Sequence, residues 1–571
     1  MKKKKTQVSR VWLLFLGILG FALILILKLY FVQIVDGDTY RARADKQYYV
    51  SKPGIFDRGN IYFTNKDGSL FPAAVQKSSF SISINPSAIS NPDFIFEKLS
   101  EIITLDKTDF DSKVLEGDSY ASIISGLDIE VAEKIRKLNL LGVDILQEKN
   151  RFYPGGRLAA QTLGLVAYKG DELAGRYGLE RYYENVLKRN NEAKFINFFA
   201  EVFTNIKKGV SSDNDSEKEG NVVTFLEPQA QSFLEIKLEE LNEKWDSNYS
   251  GGIVIDPKTG EIIAMASYPT FNPNNFQDVT DPSLFSNPLV ENIYEMGSII
   301  KAITMAIGLD SGAVTPETTY FDPGVIYLDN YKISNYDGVS RGTVNMQEVL
   351  NQSLNTGAAF VANEVGHKNF ARRMLAFGLD EESGIDLPSE ASNLVDNLQS
   401  NRDVEFATAS FGQGIALTPT ATVRALSVLA NGGVLINPHI IEKINFDNGF
   451  SRKIAYDGFE KRVISEEAAE DVTRMLVKVV DDALLGGGEK MSNYSIAAKT
   501  GTAQIASQGG YYDDKFFHTF FGYFPAFDAK FLVFLFTYDP KGVKYASQTL
   551  TTPFMEVTKY LINYYEIPPD R

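Results

Sequence analysis

The chain has 571 residues, of which 44% are apolar and 12% aromatic, so it can form several packed domains and is neither disordered nor fibrous. The net charge is −16 although the first ten residues carry +5, and so acidic a body argues against nucleic acid as a partner. With no Cys and only three His, the chain cannot form disulfides or use a catalytic thiol, and it has few metal ligands. We therefore expect no metal site.

The N-terminal segment predicts a membrane anchor. Residues 1–10 form a basic tail, and residues 11–35 form an apolar stretch with one charged residue, Lys28, and about the length of a bilayer span. The positive-inside rule then predicts a single-pass protein of the cell membrane, with a cytoplasmic N-terminus and its bulk outside the cytoplasm. The alternative is a cleavable signal peptide, because Ala42-Arg43-Ala44 loosely matches a cleavage site.

A change of composition divides the outer part of the chain. Residues 211–221 are charged and poor in apolar residues, so we interpret them as a linker between a first module, residues 36–210, and a second, residues 222–571. The second module begins with the helical pattern AQSFLEIKLEELNEKW and the strand pair GGIVID and EIIAMAS, and a second strand pair, FHTFFGYFPA and FLVFLFTYD, lies near its end. This order predicts a mixed α+β domain whose sheet uses both ends of its sequence.

A candidate nucleophile lies in the helical run GSIIKAITMAIGLDSG, which is apolar nearly all round and so predicts a buried helix. Ser298 and Lys301 are three residues apart and would share one helix face. A buried lysine readily becomes a neutral amine, which can take the proton of a neighbouring hydroxyl. The alternative is that Ser298 caps the helix and Lys301 reaches the surface.

Two downstream elements favour the catalytic interpretation. NQSLNTGAAF supplies an S-x-N pair, Ser353 and Asn355, of which Ser353 could relay a proton. YSIAAKTGTAQI supplies Lys499, Thr500, Gly501 and Thr502. There the lysine and the threonine hydroxyls could hold a carboxylate, and the glycine could let a substrate backbone approach. The order matches the serine acyltransferase set S-x-x-K, S-x-N, K-T-G.

Other matches to these short motifs are predicted to be incidental. A second K-T-G, Lys258-Thr259-Gly260, lies in the turn of the first strand pair. Two further S-x-N matches, residues 83–85 and 212–214, lie in the first module and the linker. Residues 338–342 fit G-x-S-x-G, but the preceding ISNYD is too polar for the buried strand that a nucleophile elbow requires.

With these residues identified, the chain resembles the class B penicillin-binding proteins, membrane-anchored transpeptidases of peptidoglycan synthesis. YEMGSIIK, VLNQSLNTG and AKTGTAQ are similar to the family's three catalytic segments. PGIFDRG, RFYPGGRLAAQTLG and AGRYGLERYYE resemble its pedestal, and SFGQGIALTPTATVRALSVLANGG resembles its transpeptidase domain. The resemblance implies an N-terminal transmembrane helix, an elongated pedestal of the dimerisation type, and a penicillin-binding domain with an antiparallel sheet flanked by helices and an all-helical subdomain.

The resemblance also implies roles for the site residues. Ser298 would attack the penultimate D-Ala of a stem peptide, Lys301 would accept its proton, and Ser353 would help the terminal D-Ala to leave. Asn355 would hold the substrate amide. Lys499, Thr500 and Thr502 would engage the carboxylate that β-lactams imitate, and the N–H groups of Ser298 and Thr502 would form the oxyanion hole.

No cofactor is implied, and the expected partners are lipid-linked peptidoglycan precursor with its stem peptides, β-lactams, a membrane glycan polymerase, and proteins of cell division or elongation. The chain departs from the usual family pattern at Met296, Ile300 and Ala498, none of which is a catalytic group. Two alternatives stay open. One is a relative that hydrolyses β-lactams or acts as a D,D-carboxypeptidase, and the other is a non-catalytic scaffold or sensor of wall synthesis.

Overall fold

The computed structural model describes residues 57–115, 121–170, 172–189, 219–456, 461–507 and 509–571, with isolated positions between 12 and 28. Most of the predicted span 11–35 lies outside these residues, as do the tail 1–10 and most of the predicted linker. Within the described part of the chain, no helix is both long and apolar enough to cross a membrane. The described residues form two compact units, one within residues 79–148 and the other within residues 57–78 and 149–571. The predicted module boundaries stay predictions.

Most of the elements up to residue 189 are short, although the 15-residue strand Leu70–Ile84 equals the longest described strand of the second module. The strands are β1 (Ile61–Thr64), β2 (Leu70–Ile84), β3 (Ala121–Leu127), β4 (Val143–Phe152), β5 (Val166–Lys169) and β6 (Glu172–Gly175). The helices are α1 (Pro92–Ser100), α2 (Lys107–Leu115), α3 (Ile129–Lys137), α4 (Ala160–Leu163), α5 (Gly178–Tyr182) and α6 (Glu184–Leu187).

The elements after residue 219 include the longest helices and strands. The strands are β7 (Gly220–Thr224), β8 (Tyr249–Ile255), β9 (Ile262–Tyr268), β10 (Thr319–Asp322), β11 (Val325–Leu328), β12 (Tyr331–Ser334), β13 (Gly342–Asn345), β14 (Val434–Leu435), β15 (Ile441–Phe446), β16 (Ser451–Lys453), β17 (Lys461–Arg462), β18 (Ala497–Ser507), β19 (Gly510–Phe524) and β20 (Phe531–Tyr538). The helices are α7 (Pro228–Trp245), α8 (Pro288–Glu291), α9 (Ile300–Asp310), α10 (Met346–Asn351), α11 (Asn355–Val365), α12 (His367–Ala376), α13 (Asp403–Ala409), α14 (Pro419–Ala430), α15 (Glu466–Lys478), α16 (Ala546–Thr549) and α17 (Thr551–Tyr564).

The smaller unit has its own core. The end of β2 pairs antiparallel with β3, and helices α1, α2 and α3 contribute apolar side chains. The buried members of this core are Ile82, Ile84, Ile95, Leu99, Ile103, Phe110, Ile123 and Ile135. In α1, Pro92 opens the first turn and the Asn91 side chain accepts the N–H of Phe94, which is a typical helix start.

The larger unit is built on a five-stranded antiparallel sheet in the order β18-β19-β20-β8-β9. The predicted pairs β8–β9 and β19–β20 are confirmed, and the sheet joins both ends of the second module as predicted. Alternate residues of its strands enter different cores because successive side chains point to opposite faces. Ile253, Phe534 and Phe536 belong to one core, whereas Val254, Val533 and Leu535 belong to another. The sheet is therefore covered on both faces.

Helices cover the two faces. The predicted amphipathic helix is confirmed as α7, which starts at Pro228 with the Glu227 side chain accepting the N–H of Ala230. It packs on the sheet beside α17, where the rings of Phe233 and Tyr560 stack at 4.0 Å. Helix α9 lies among α11, α14 and α15 on the other side, and its residues 300–308 are all buried. The mixed α+β architecture is therefore confirmed.

Candidate active site

Ser298 lies in a tight turn that leads into the buried helix α9. The turn is a single 3-10 turn, Gly297–Ile299, and the α-helix follows from Ile300. Gly297 has a φ of +65°, and a Cβ there would lie 3.0 Å from the backbone of Thr502. A larger residue would therefore be strained and would push the turn away from β18. The apolar helix thus begins directly against the K-T-G strand.

Lys301 is buried, with 1% of its surface exposed, while the Ser298 side chain is half-buried. Nζ of Lys301 lies 2.9 Å from Oγ of Ser298. It also lies 2.5 Å from the backbone oxygen of Ser353 and 3.2 Å from the Ser353 hydroxyl. Burial, with a smaller contribution from the charge of Lys499, lowers the pKa of Lys301 well below its usual value. Burial thus favours the neutral amine, which can accept a proton from a hydroxyl at this distance.

Ser353 is held in an unusual backbone conformation. It follows α10 and precedes α11, and its φ is +55°, a left-handed conformation that non-glycine residues seldom adopt. This conformation lets the hydroxyl and the carbonyl of Ser353 contact the same Lys301 amine. Strain of this kind costs roughly 1–3 kcal/mol and concentrates at functional sites.

Lys499 approaches the same hydroxyl from the sheet. Its side chain is 3% exposed, and its Nζ lies 3.0 Å from Oγ of Ser353 and 3.1 Å from the backbone oxygen of Thr500. Burial lowers the pKa of Lys499 to about 8. Ser353 therefore stands between two buried amines, one beside Ser298 and one on β18.

Asn355 is the first residue of α11 and lies two residues after Ser353. Its Nδ2 donates to the backbone oxygen of Ser334 at 2.8 Å. Asn335 is buried, and its carboxamide nitrogen donates to both oxygens of Asp322 at 2.9 and 3.0 Å. The side chain of Asn355 is therefore anchored to the loop that follows β12.

The K-T-G strand β18 is the edge strand of the sheet, and it alternates buried and half-buried residues. Thr500 and Thr502 are the half-buried pair, and the Thr502 hydroxyl accepts the N–H of Ala546 at 3.1 Å. The approach of a substrate to Gly501 stays a prediction. A Cβ at this position would lie 2.3 Å from Oγ1 of Thr519 on β19 and 2.8 Å from the Met296 oxygen, so the glycine also makes room for the neighbouring strand and the nucleophile turn.

Residues 410–414 form a support that motif spacing did not reveal. Gly297 donates its N–H to the Gly412 oxygen at 3.0 Å. The Thr304 hydroxyl donates to the Ser410 oxygen at 2.7 Å. Glu295 accepts the N–H of Gly414 and the hydroxyl of Tyr511, both at 2.9 Å. The resemblance of SFGQG to a family segment was the one signal that pointed to this loop.

Three of the incidental motifs lie where the sequence predicted. Lys258-Thr259-Gly260 forms the turn between β8 and β9. Residues 338–342 form a loop, in which the Ser340 hydroxyl donates to the Asp322 oxygen. Ser83 and Ile84 end strand β2, whereas residues 212–214 lie outside the described part of the chain. The structure thus brings together Ser298, Lys301, Ser353 and Lys499 and leaves these matches apart.

Two family descriptions match this chain. The penicillin binding protein transpeptidase domain matches residues 251–558, and the penicillin-binding protein dimerisation domain matches residues 56–223. The first match covers more than half of the chain and contains every predicted site residue. The chain therefore belongs to the penicillin-binding protein transpeptidase family, with the domain pair that its resemblance to class B members predicted.

Relatives of known name agree with this assignment. Stage V sporulation protein D of Bacillus subtilis is 28% identical over 95% of this chain and 84% of its own length. The peptidoglycan D,D-transpeptidase MrdA of Acinetobacter baumannii is 28% identical over 86% of this chain and 78% of its own length.

Solved structures agree as well. Penicillin binding protein 2X of Streptococcus thermophilus is 20% identical, has a TM-score of 0.71 and covers 90% of this chain and 81% of its own, which supports the fold alone. Penicillin binding protein 3 of Mycobacterium tuberculosis, solved in complex with aztreonam, is 25% identical, with a TM-score of 0.64 over 74% of this chain and 92% of its own.

Proposed function

We propose that this protein is a serine-type peptidoglycan D,D-transpeptidase that cross-links stem peptides through an acyl-enzyme on Ser298. The observation that carries the proposal is the 2.9 Å contact between the Ser298 hydroxyl and the buried amine of Lys301. A neutral amine at that distance can act as a general base, which a surface lysine could not do at neutral pH.

Acylation begins at the Ser298–Lys301 pair. As Oγ of Ser298 attacks the carbonyl carbon of the penultimate D-Ala, its proton passes to Lys301. The tetrahedral intermediate collapses when the peptide nitrogen of the terminal D-Ala takes up a proton and leaves. Ser353 contacts Lys301 at 3.2 Å, so its hydroxyl can relay that proton. An amine of a neighbouring stem peptide then attacks the ester and restores the Ser298 hydroxyl.

The oxyanion of that intermediate needs two N–H donors. Ser298 lies at the start of a helix, where the first N–H groups have no partner within the helix. Thr502 lies on the edge strand of the sheet, and its backbone is next to Gly297. This proximity supports the N–H groups of Ser298 and Thr502 as the oxyanion hole.

The K-T-G strand and Asn355 supply the groups that bind the substrate. Lys499 carries a positive charge below its pKa of about 8 and attracts the terminal carboxylate. Thr500 and Thr502 offer hydroxyl protons beside it, since the Thr502 oxygen accepts from Ala546 and its own proton can point to the substrate. Asn355, oriented by its bond to Ser334, offers its carboxamide oxygen to a peptide N–H.

The absence of a carboxylate bonded to Ser298 or Lys301 among the described residues favours transpeptidation over hydrolysis. A β-lactam hydrolase needs a carboxylate that activates water beside the acyl-enzyme. Glu295 is only three residues before Ser298, but its Oε1 accepts from Gly414 and Tyr511. In the described ranges, no Asp or Glu oxygen bonds to Ser298 or Lys301. We therefore propose slow hydrolysis of a penicilloyl-enzyme.

We further propose the cellular setting that the sequence predicts. Residues 11–35 would anchor the protein in the cell membrane, with the active site outside the cytoplasm, where lipid-linked precursor is polymerised. A separate membrane glycan polymerase would supply the glycan strands, in cell division or elongation.

Covalent labelling with a fluorescent penicillin tests the proposed function. The wild type should take up one label that survives denaturation, and Ser298→Ala should take up none. Ser340→Ala, in the incidental G-x-S-x-G loop, is the matched control and should be labelled like the wild type. A second assay mixes the wild type with lipid-linked precursor and a glycan polymerase. Cross-linked product is expected from a transpeptidase, whereas a non-catalytic scaffold would give none. Persistent labelling of Ser298→Ala would overturn the assignment.

A further inference from the structure

Two tyrosines from different parts of the larger unit meet edge to face beside the proposed site. The rings of Tyr336 and Tyr545 have centroids 5.7 Å apart and an interplanar angle of 81°. They are 209 residues apart in the sequence. The contact therefore joins two segments that are distant in the sequence. The hydrogen bonds of each segment show to which side of the proposed site it belongs.

Tyr336 belongs to the S-x-N side of the site. Its loop follows β12, whose last residue, Ser334, accepts the Asn355 amide at 2.8 Å. The Arg341 guanidinium lies 5.5 Å from the Tyr336 ring centre, and its Nε donates to the side chain of Gln352 at 2.9 Å. Gln352 immediately precedes Ser353. The Tyr336 ring is therefore fixed to the segment that carries the proton relay.

Tyr545 belongs to the K-T-G side. The next residue, Ala546, donates its N–H to the Thr502 hydroxyl at 3.1 Å. The preceding residue, Lys544, has its backbone oxygen 3.0 Å from Nε2 of His518, which pairs with Thr502 across β18 and β19. Burial lowers the pKa of His518 to about 4, so this imidazole is neutral near pH 7. The Tyr545 backbone is thus fixed to the edge strand.

The ring pair therefore bridges the two walls between which a substrate must lie, one formed by Ser353 and Asn355 and the other by Thr500 and Thr502. Tyr336 is 50% exposed, so the pair borders solvent and is not part of a core. One edge-to-face contact is a weak interaction, and a bound peptide can displace it.

We propose that Tyr336 and Tyr545 form a gate that restricts the width of the acyl donor admitted between the S-x-N and K-T-G walls. The proposal rests on the proposed function, because it concerns the substrate of the same Ser298. A compact β-lactam occupies the site without parting the rings, whereas a donor that carries a long peptide side chain has to separate them. The two tyrosines are thus specificity-determining residues of the acylation step.

Acylation rates with two penicillins test the gate. Benzylpenicillin is the compact probe, and a penicillin whose acyl side chain is a stem-length peptide is the wide one. We expect Tyr336→Ala and Tyr545→Ala each to raise the ratio of the wide to the compact second-order rate constant about three- to tenfold, the factor that one aromatic contact corresponds to. The double variant should exceed neither single variant, because all three remove the same contact.

Control variants test whether the loss of the ring contact itself changes the ratio of rate constants. Tyr336→Phe and Tyr545→Phe keep the rings and should keep the wild-type ratio, as should Tyr327→Ala, which removes an exposed ring on β11. The gate would be refuted by an unchanged ratio in both alanine variants, or by single effects that multiply in the double variant. If neither penicillin labels the wild type, the proposed function is contradicted. The gate is then contradicted as well, because it acts on the acylation of Ser298.

Discussion

Two clusters of buried charged groups in the larger unit differ in how their charges are compensated. In the pedestal sequence, Glu180 is fully buried between Arg58 and Arg151, with N–O distances of 2.5 and 2.6 Å. In the active site, Lys301 and Lys499 are equally buried, yet among the described residues neither forms an ion pair with a carboxylate. The two clusters differ in whether the buried charge has a counter-charge.

The pKa shifts follow this difference. Burial opposes ionisation of Glu180, but Arg151 and Arg58 outweigh it and lower the pKa of this carboxyl below its usual value. Burial acts on Lys301 without such compensation, so its pKa falls well below its usual value. The paired charges stay charged and hold segments together, whereas burial without a counter-charge favours the neutral form of Lys301, which can accept a proton. The ion pairs of Glu180 therefore stabilise the fold, whereas the unpaired amine of Lys301 is suited to the reaction.

Removing the unpaired amine should affect chemistry and leave the fold intact. We expect Lys301→Met to lower the second-order rate constant of penicillin acylation by about 10²–10⁴-fold, the usual contribution of a general base. The melting temperature should not fall, because an apolar side chain replaces a buried amine that has no counter-charge. Lys258→Met, in the exposed K-T-G turn, is the control and should acylate like the wild type. Wild-type acylation of Lys301→Met would contradict the assignment of the base.

Removing the charge of the paired carboxylate, Glu180, should lower the stability of the fold and leave the chemistry of Ser298 intact. Glu180→Gln leaves Arg151 buried without a counter-charge and leaves Arg58 paired with Glu184 alone, so we expect a loss of about 3–5 kcal/mol in the free energy of unfolding. Glu172→Gln, which breaks the exposed pair with Lys188, should leave the melting temperature unchanged. The folded fraction of Glu180→Gln should still be acylated on Ser298. Unaltered unfolding by denaturant would show that the cluster does not stabilise the pedestal.

The sequence predicted features that depend on local spacing. Ser298 and Lys301 are three residues apart in an apolar run, so a helix alone brings them together. The motif set also predicted that the segments of Ser298, Ser353 and Lys499 meet. Other contacts between distant segments were not predicted, because no periodicity or motif relates Arg58 to Glu180 or Tyr336 to Tyr545. The left-handed conformation of Ser353 was also missed, since a non-glycine residue gives no local signal for a positive φ.

A half-buried carboxylate that forms no ion pair among the described residues provides an intermediate case between the two clusters. Glu235 on α7 accepts the Ala159 N–H and the Gln231 amide, both at 2.7 Å, and burial raises its pKa to about 7. A raised pKa stabilises the fold below about pH 4.5, and that contribution is lost as pH rises through about 7. We therefore expect Glu235→Gln to gain stability over the wild type between pH 5 and pH 8, by at most about 3 kcal/mol.

The measurement is denaturant unfolding of both proteins at several pH values. The exposed Glu240→Gln, on the same helix, controls for a change of net charge and should show no such pH dependence. A constant difference between Glu235→Gln and the wild type across this range would mean that the carboxyl titrates normally in the fold.

The titration of Lys499 should give the smallest of these effects. Its pKa of about 8 lies within the pH range in which acylation can be measured. As pH rises through this value the ammonium loses its charge, and with it the attraction for a substrate carboxylate. We expect the second-order rate constant for acylation by benzylpenicillin to be about tenfold lower at pH 9 than its maximum, since about one molecule in ten then retains the proton. Benzylpenicillin methyl ester has no carboxylate, so its slower acylation should not decline over the same interval. An equal decline with both compounds would place the titration in another group and leave Lys499 without its proposed role in binding.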